Sequence, residues 1–250
     1  MKTLYFDCIN GVCADMILTG LRDLGVDESG FDVRDELEEL YKREEAEHLA
    51  QHHNHDHEHH HHDHDGHHHH HHDREMLHGH HGLGFTDIMN IFQDLHCNYL
   101  VKHKAHNIYK AIGEAEARAH GTYLEDVHFH EVGRLEAIQN ILTISYMLCE
   151  IDPDRIVVSE IHDGDGEIMC SHGLLQVPVP AVKEMMKKSG LKFVTDEGYD
   201  ELVTPSGLGI IIGLGAEYGD KPAGSVIAKG SGYGGRDTGK GNMEIYLIEE

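Results

Sequence analysis

The chain has 250 residues, 45 of them acidic and 20 basic, and its formal net charge is −25 with neutral histidine. This charge excludes nucleic acid and anionic membranes as main partners, since both are bound chiefly through Lys and Arg. No apolar run approaches the ~20 residues of a membrane span, no signal peptide precedes the first strand pattern, and the five scattered cysteines lack the spacing of a disulfide framework, so we expect a cytoplasmic protein.

The hydrophobic pattern predicts strands and helices that alternate along the chain. A strand over 3–8 leads through a tight loop into a helix over 14–24, which stops before Gly25. The next elements are helices over 32–50, 85–98, 104–120 and 132–150, of which the third is closed by Gly121. Beyond residue 155 the pattern predicts a Gly-rich turn after 161, strands over 156–161, 174–177, 193–196, 224–229 and 244–248, and helices over 180–189 and 206–214. This order predicts an α/β or α+β fold in which helices flank a mixed sheet.

Residues 48–81 contain 19 of the 27 histidines, mixed with acidic residues and almost no apolar ones. Such a segment cannot bury a core, so we predict a disordered, metal-binding insertion in one domain whose other parts are 1–47 and 82–250. Neutral imidazole binds nickel, copper, zinc and cobalt well. The candidate metal ligands are His59, His60, His61, His62, His67, His68, His69 and His70. An expression tag and a solubilising linker are the alternatives.

The loop after the first strand carries two acidic residues. Asp7 and Asp15 bracket the segment 10–14, which includes Gly11. Backbone N–H groups of this loop are suited to an anion and the two carboxylates to a hard cation. Alternatively, Asp15 only complements the dipole of the following helix.

Three further segments combine polar ligands with glycines. His128, His130 and Glu131 form an HxHE sequence that suits a transition metal, and a structural histidine pair is the alternative. Cys170 and His172 place a thiol beside an imidazole, which suits either a metal or an activated nucleophile. Because no oxyanion partner is visible, metal contact is favoured. The sequence KGSGYGGRDTGKG at 229–241 allows close backbone approach to a ligand, with Arg236 as a phosphate clamp. A glycine-rich hairpin is the alternative there.

Taken together, the motifs resemble one family, the LarC nickel insertion proteins. The resemblance covers essentially the whole chain and rests on six blocks in order: FDCINGVCADM at 6–16, the histidine-rich tract, HFHEVG at 128–133, CSHGLLQVPVPA at 170–181, ELVTPSG at 201–207 and GYGGRD at 232–237. It implies a chelatase that depends on CTP and a divalent cation, Mn²⁺ or Mg²⁺. The implied reaction places nickel into pyridinium-3,5-bisthiocarboxylic acid mononucleotide, making the nickel-pincer cofactor of lactate racemase and related enzymes.

Chemistry then suggests a role for each candidate. We expect the tract to gather nickel, His128 and His130 to bind it, and Asp7 and Asp15 to hold the accompanying cation. The predicted catalytic residues are Cys170, His172 and Glu131. The predicted binding residues for the mononucleotide are Gly11, Thr204, Gly232, Gly234 and Arg236.

The sequence departs from the family pattern in two respects. Unusual residues stand at two places, namely Cys13 and Ala14 in the first block and Arg134, Glu136, Ala137 and Asn140 after HEVG. Asn140 offers only a neutral amide where the family has a further carboxylate. Family members also continue for well over a hundred residues, so this chain resembles the amino-terminal portion of a split or truncated enzyme and is expected to be inactive alone. We expect CTP to bind outside this chain, on a separate carboxy-terminal polypeptide.

Two other functions stay open at this stage. A non-catalytic nickel storage or delivery protein would keep the fold and the tract while losing turnover. A Cys-dependent hydrolase using Cys170 and His172 is poorly supported, because no partner that would orient its base is visible. A homo-oligomer is left open as well.

Overall fold

The computed structural model describes residues 1–55 and 82–250 apart from His172, with the backbone alone for 51–55. The strands in chain order are β1 (Lys2–Asp7), β2 (Arg155–Val158), β3 (Ile161–Gly164), β4 (Glu167–Cys170), β5 (Gly173–Gln176), β6 (Phe193–Asp196), β7 (Glu217–Tyr218), β8 (Ser225–Gly232) and β9 (Met243–Glu249). Five of them form a sheet in the order β7-β2-β1-β9-β8. β2 runs parallel to β1 and β7, whereas β9 is antiparallel to β1 and β8.

Two small sheets lie beside the main one. β3 pairs with β6 in parallel, and β4 and β5 form an antiparallel hairpin. The prediction of a single strand over 156–161 is wrong, because the chain leaves the main sheet at Ser159. There the hydroxyl oxygen of Ser159, and not a backbone carbonyl, accepts the Cys8 N–H at 2.8 Å. β3 then begins a separate sheet at Ile161, and the predicted Gly-rich turn contains β4.

Seven α-helices lie in the described ranges, together with a short 3₁₀ helix at Leu124–Asp126. They are α1 (Ala14–Asp23), α2 (Arg34–His55), α3 (Phe85–Asp94), α4 (Tyr99–His120), α5 (Leu135–Ile151), α6 (Pro180–Ser189) and α7 (Pro205–Gly213). α4 ends at Gly121 with φ +69°, as predicted. It begins five residues earlier than predicted because the Asn98 side chain accepts the Leu100 N–H at 2.9 Å and caps it.

One large core joins the first and last parts of the chain. On β1, Leu4 and Phe6 are fully buried against it, together with Ile17 of α1, Tyr109 of α4 and Ile245 of β9. The opposite face of the sheet carries only a small cluster around Tyr5, Val157 and Ile248. None of the helices in the described part of the chain is long and apolar enough to cross a membrane. The mixed sheet and its helices confirm the predicted α/β class.

Candidate functional site

Two helices begin side by side because the segments before them pair. Val12 and Val203 form a parallel bridge, in which the Val12 N–H donates to the Leu202 carbonyl at 2.9 Å and the Thr204 N–H donates to the Val12 carbonyl at 3.1 Å. α1 and α7 start directly after these segments. Gly207 makes the approach possible, since a Cβ there would lie 2.4 Å from the Val12 carbonyl oxygen.

A first cavity of about 320 Å³, called cavity 1 below, opens at these helix starts. The first turn of α5 also lines it, so three helix N-termini converge on one cavity. Each N-terminus contributes positive potential from its backbone N–H groups. The charged side chains that line cavity 1 are Asp15, Glu131, Arg134, Glu136, Glu201 and Arg236. The arrangement suits a ligand with an anionic group, and the carboxylates suit a cation bound beside it.

A second cavity of about 480 Å³, called cavity 2, adjoins the first. Its walls are largely apolar, from residues such as Phe129, Ile168 and Val179, but they include soft and borderline metal donors. These donors are His120, His128, His130 and Cys170. Sulfur and imidazole beside an apolar wall suit a transition metal together with a flat organic ligand.

The ion pair of Arg236 and Glu201 lines both cavities. Their side chains contact each other directly, and Glu201 is only 8% exposed. Burial raises the pKa of Glu201, while the Arg236 guanidinium opposes that shift. Behind the pair, the buried Asp163 accepts the N–H groups of Leu202 and Val203 at 3.0 Å each. Asp163 therefore fixes the backbone that carries Glu201.

Glu131 ties the HxHE segment to the turn of the β4–β5 hairpin. Its Oε1 accepts the Ser171 hydroxyl at 2.5 Å and the Ser171 N–H at 3.2 Å. Burial opposes ionisation of Glu131, but the Ser171 hydrogen bonds and nearby His130 outweigh it and lower the pKa. An ionised Glu131 thus holds the residue next to Cys170 in place.

The structure brings many of the predicted site residues together. Those that line one or both cavities are Asp15, His128, His130, Glu131, Cys170, Thr204, Gly234 and Arg236. The glycine-rich stretch connects β8 to β9, so it is a hairpin, and its residues 234–236 nevertheless line cavity 1.

Three predicted site residues line neither cavity. Asp7 ends β1, where its carboxylate accepts the Ile9 N–H at 3.5 Å. Gly11 has φ +92° and packs on the Leu202 carbonyl, and Gly232 packs on Met16 of α1. Packing already accounts for both glycines, and their proposed contact with a ligand stays a prediction.

The tract ligands and His172 cannot be placed in this site. His172, His59, His60, His61, His62, His67, His68, His69 and His70 lie outside the described residues. Among the residues that are described, no group of three or more His, Cys, Asp or Glu is already arranged to hold a metal ion.

Sequence reasoning assigned no role to Glu201, although it begins the ELVTPSG block. The sequence does contain a signal for Glu201, because this acidic residue stands directly before an apolar Leu-Val pair and the Thr-Pro start of a helix. The departures from the family pattern all fall in one place. All six, Cys13, Ala14, Arg134, Glu136, Ala137 and Asn140, line cavity 1.

Comparison with known proteins supports the resemblance. A family model described as Nickel insertion protein matches residues 4–248. The chain belongs to the nickel insertion protein family. Three relatives are each named pyridinium-3,5-bisthiocarboxylic acid mononucleotide nickel insertion protein. The one from Acetivibrio thermocellus is 36% identical over 97% of this chain and 59% of its own length.

The other two relatives of this nickel insertion family member are similarly distant. The protein from Lactiplantibacillus plantarum is 35% identical, over 100% of this chain and 62% of its own length. The protein from Geobacillus kaustophilus is 34% identical, over 95% of this chain and 57% of its own length. This chain thus spans about three fifths of the length of the curated relatives it matches. No solved structure matches it.

Proposed function

We propose that this chain binds nickel and pyridinium-3,5-bisthiocarboxylic acid mononucleotide and joins the two, forming the nickel-pincer cofactor used by lactate racemase-type enzymes. The observation that carries the proposal is the pair of adjoining cavities, of which one combines helix N-termini and arginines with carboxylates and the other holds sulfur and imidazole donors. The printed names of the relatives supply the identity of the ligand.

Cavity 1 is the proposed seat of the phosphate. Its three helix N-termini favour an anionic group, and Arg134 and Arg236 are the two cationic side chains in its lining. Thr204 already caps α7 by accepting the Gly207 N–H at 3.1 Å, which orients the first turn toward the cavity. The pyridinium ring and its thiocarboxylates then extend past Arg236 into cavity 2.

Cavity 2 is the proposed place of nickel transfer. Cys170, His130 and His128 offer the nickel a mixed sulfur and nitrogen environment, and we expect His172 to join them. Together, the two soft thiocarboxylates of the substrate bind nickel more strongly than these protein donors do. They therefore take the metal from the protein by ligand exchange. Asp15 is the proposed ligand of the accompanying Mn²⁺ or Mg²⁺, with Glu136 nearby on the same cavity wall.

The direct test is to mix the purified chain with nickel, manganese, CTP and the mononucleotide and to look for the nickel-loaded product by mass spectrometry. The same mixture is run with and without the segment that the relatives have beyond the match. Product that requires this chain supports the proposal. A mixture in which omitting the chain changes nothing contradicts it.

Cation binding in cavity 1 yields a first prediction. Asn140 lies one helical turn after Glu136 on α5, so Asn140→Asp adds a carboxylate to the cavity wall. We expect manganese affinity to rise by roughly tenfold, since each added carboxylate strengthens a hard-cation site. Titration followed by the electron paramagnetic resonance of free Mn²⁺ measures the change.

Gln139→Glu is the matched control. It adds the same charge to the same helix, but residue 139 lines a different pocket, near Phe31. Equal gains in both variants would mean that only net charge matters and that cavity 1 holds no cation site.

A storage or delivery protein is the second candidate function. The observation that favours it is the concentration of unusual residues in cavity 1, where Asn140 provides only a neutral amide. Such a protein would bind nickel and pass it on without joining it to the mononucleotide. It predicts that this chain speeds nickel loading by a full-length relative but forms no product with any carboxy-terminal segment.

CTP supplies a second prediction. We propose that the nucleotide binds to the part of the relatives that this chain does not match, on the same or a separate polypeptide. The 250-residue chain is therefore expected to show no measurable heat when CTP and manganese are titrated into it. Binding in the range of about 1 μM, which is worth about 8 kcal/mol, would place the nucleotide site within these residues.

A further inference from the structure

Arg236 lies on a loop that its own backbone does little to hold. The loop, residues 233–242, connects β8 to β9. Its first residue donates its N–H to the Thr19 hydroxyl at 2.9 Å, and the carbonyl of its last residue accepts the Asn10 amide at 2.7 Å. Between these ends, no backbone–backbone hydrogen bond within the described part of the chain holds the loop. The middle of the loop therefore depends on side chains.

Lys240 supplies a support there. Its ammonium nitrogen lies 2.5 Å from Oδ2 of Asp196, at the end of β6, and 4.4 Å from the centre of the Tyr199 ring. Only 20% of the Lys240 side chain and 16% of the Asp196 side chain are exposed, so salt and water screen this pair less than an ion pair on the open surface. The bond to Lys240 lowers the pKa of Asp196, which is therefore ionised at neutral pH.

The backbone around Lys240 has a defined shape. Gly239 and Gly241 on either side have φ of +73° and +101°, a region that glycine adopts without strain. The Gly239 N–H donates to the Asp237 carboxylate at 2.9 Å. The chain thus turns sharply on both sides of Lys240, although a glycine-rich segment is flexible when nothing holds it.

Asp196 is itself fixed by its neighbours. Nδ1 of His162 lies 3.0 Å from each of its carboxylate oxygens, and Nε2 of the same ring lies 3.4 Å from Glu160. In the parallel pairing of β3 with β6, Asp196 stands opposite Gly164. Lys240 therefore bonds a carboxylate that β3 already holds in place.

The small β3–β6 sheet supports both partners of the ion pair that lines the two cavities. β3 carries Asp163, whose carboxylate accepts the N–H groups of the two residues after Glu201. β6 carries Asp196, which holds the loop of Arg236 through Lys240. Lys240 follows Arg236 by four residues, so freeing Lys240 would let Arg236 move away from Glu201.

We propose that Lys240 is a positioning residue, which holds the loop so that Arg236 faces cavity 1 before an anionic ligand arrives. That this ligand is the mononucleotide rests on the proposed function. A loop that is ordered in advance loses less conformational entropy on binding than one that the ligand must order. Lys240 lines neither cavity, so it acts on the ligand through Arg236.

The first test needs no ligand. Hydrogen exchange of the full chain, followed by mass spectrometry, measures the protection of the amides in 233–242. Lys240→Met keeps the apolar stem and removes the charge, so exchange there should become about five- to tenfold faster. Lys240→Arg keeps the charge and can stack on Tyr199, so it should stay within about twofold of wild type. Unchanged exchange in a folded Lys240→Met chain would overturn the proposal.

Lys229→Met is the matched control. Lys229 belongs to the same hairpin, on β8, where it pairs with Glu244 at 2.8 Å and lies 5.5 Å from the centre of the Tyr246 ring. Its replacement should leave exchange in the loop unchanged, and equal effects of the two Lys→Met changes would overturn the proposal. If Lys240→Met fails to fold, Asp196→Asn takes its place, because it breaks the same pair and keeps the side-chain volume.

The second test is calorimetric titration with the mononucleotide. Lys240→Met should weaken its binding about five- to tenfold and raise KM by the same factor. Turnover at saturating mononucleotide should stay near wild type, because the bound phosphate orders the loop and Arg236 again. In an Arg236→Ala chain, Lys240→Met should cause no further loss of affinity. A further loss there would show that Lys240 does not act through Arg236 and would overturn the proposal.

Failure of the proposed function gives a different result. If the wild-type chain does not bind the mononucleotide but Lys240→Met still speeds exchange in 233–242, the proposed function is refuted and Lys240 remains the support of the loop. If the mononucleotide binds equally well to wild type and Lys240→Met, only the positioning role is refuted.

Discussion

Cys170→Ser is expected to reduce nickel insertion by about two orders of magnitude while leaving the fold intact. Serine offers nickel a hard hydroxyl oxygen in place of a soft thiolate. Loss of a residue that only hydrogen-bonds to a metal ligand already lowers metal affinity or activity about 10–100-fold. Loss of a direct donor should lower them at least as much. Cys170 is half-buried in a hairpin turn, where its Sγ lies 3.5 Å from the Gly173 carbonyl oxygen, so serine fits without loss of core packing.

The measurements are product formation with the mononucleotide and thermal unfolding of the chain. Cys97→Ser is the matched control, because Cys97 is another half-buried cysteine that lies between α3 and α4, away from both cavities. It should retain full turnover. Wild-type activity in Cys170→Ser would remove the thiol from the mechanism, and an unfolded variant would show that Cys170 serves the fold instead.

The elements that the sequence predicted well depend on local signals. α6 begins at Pro180, which suits a first helical position, and α4 ends where Gly121 takes up positive φ. The strand over 193–196 was also predicted at its observed bounds. In each case the deciding residues lie within one turn of the boundary, so a single sequence contains the information.

The remaining features depend on pairings between distant parts of the chain. β1 is paired with β9 from the other end of the sequence, and the break after β2 depends on a Ser159 bond to Cys8. Neither leaves a local signal. Four of the motif blocks meet in cavity 1, and two of them are joined there by the bridge between Val12 and Val203. Glu201 gains its importance only from its contact with Arg236.

Arg236→Ala is the second change with a large expected effect, because it removes a proposed phosphate ligand and leaves Glu201 buried without its cation. We expect insertion to fall about a hundredfold or more, mainly through weaker binding of the mononucleotide, since a charge-assisted pair with phosphate is among the stronger contacts. Arg236→Lys keeps the charge but not the two-pronged geometry. It should recover stability without recovering activity. Thermal unfolding measures the stability, and calorimetric titration measures binding of the mononucleotide.

The stability loss in Arg236→Ala should depend on pH, in a direction fixed by Glu201. Burial already holds the pKa of Glu201 above its ordinary 4.5, and Arg236 limits that rise, so its removal raises the pKa further. Below pH 4.5 the Glu201 carboxyl is protonated in both the folded and the unfolded chain, and the variant loses little stability. As the pH rises from there toward the folded-state pKa, Glu201 ionises in the unfolded chain first, and this favours unfolding. The deficit of Arg236→Ala against wild type should therefore be small near about pH 4 and grow to about 1–3 kcal/mol at neutral pH. In the double variant Arg236→Ala/Glu201→Gln this pH dependence should vanish, and its persistence would show that another group is responsible.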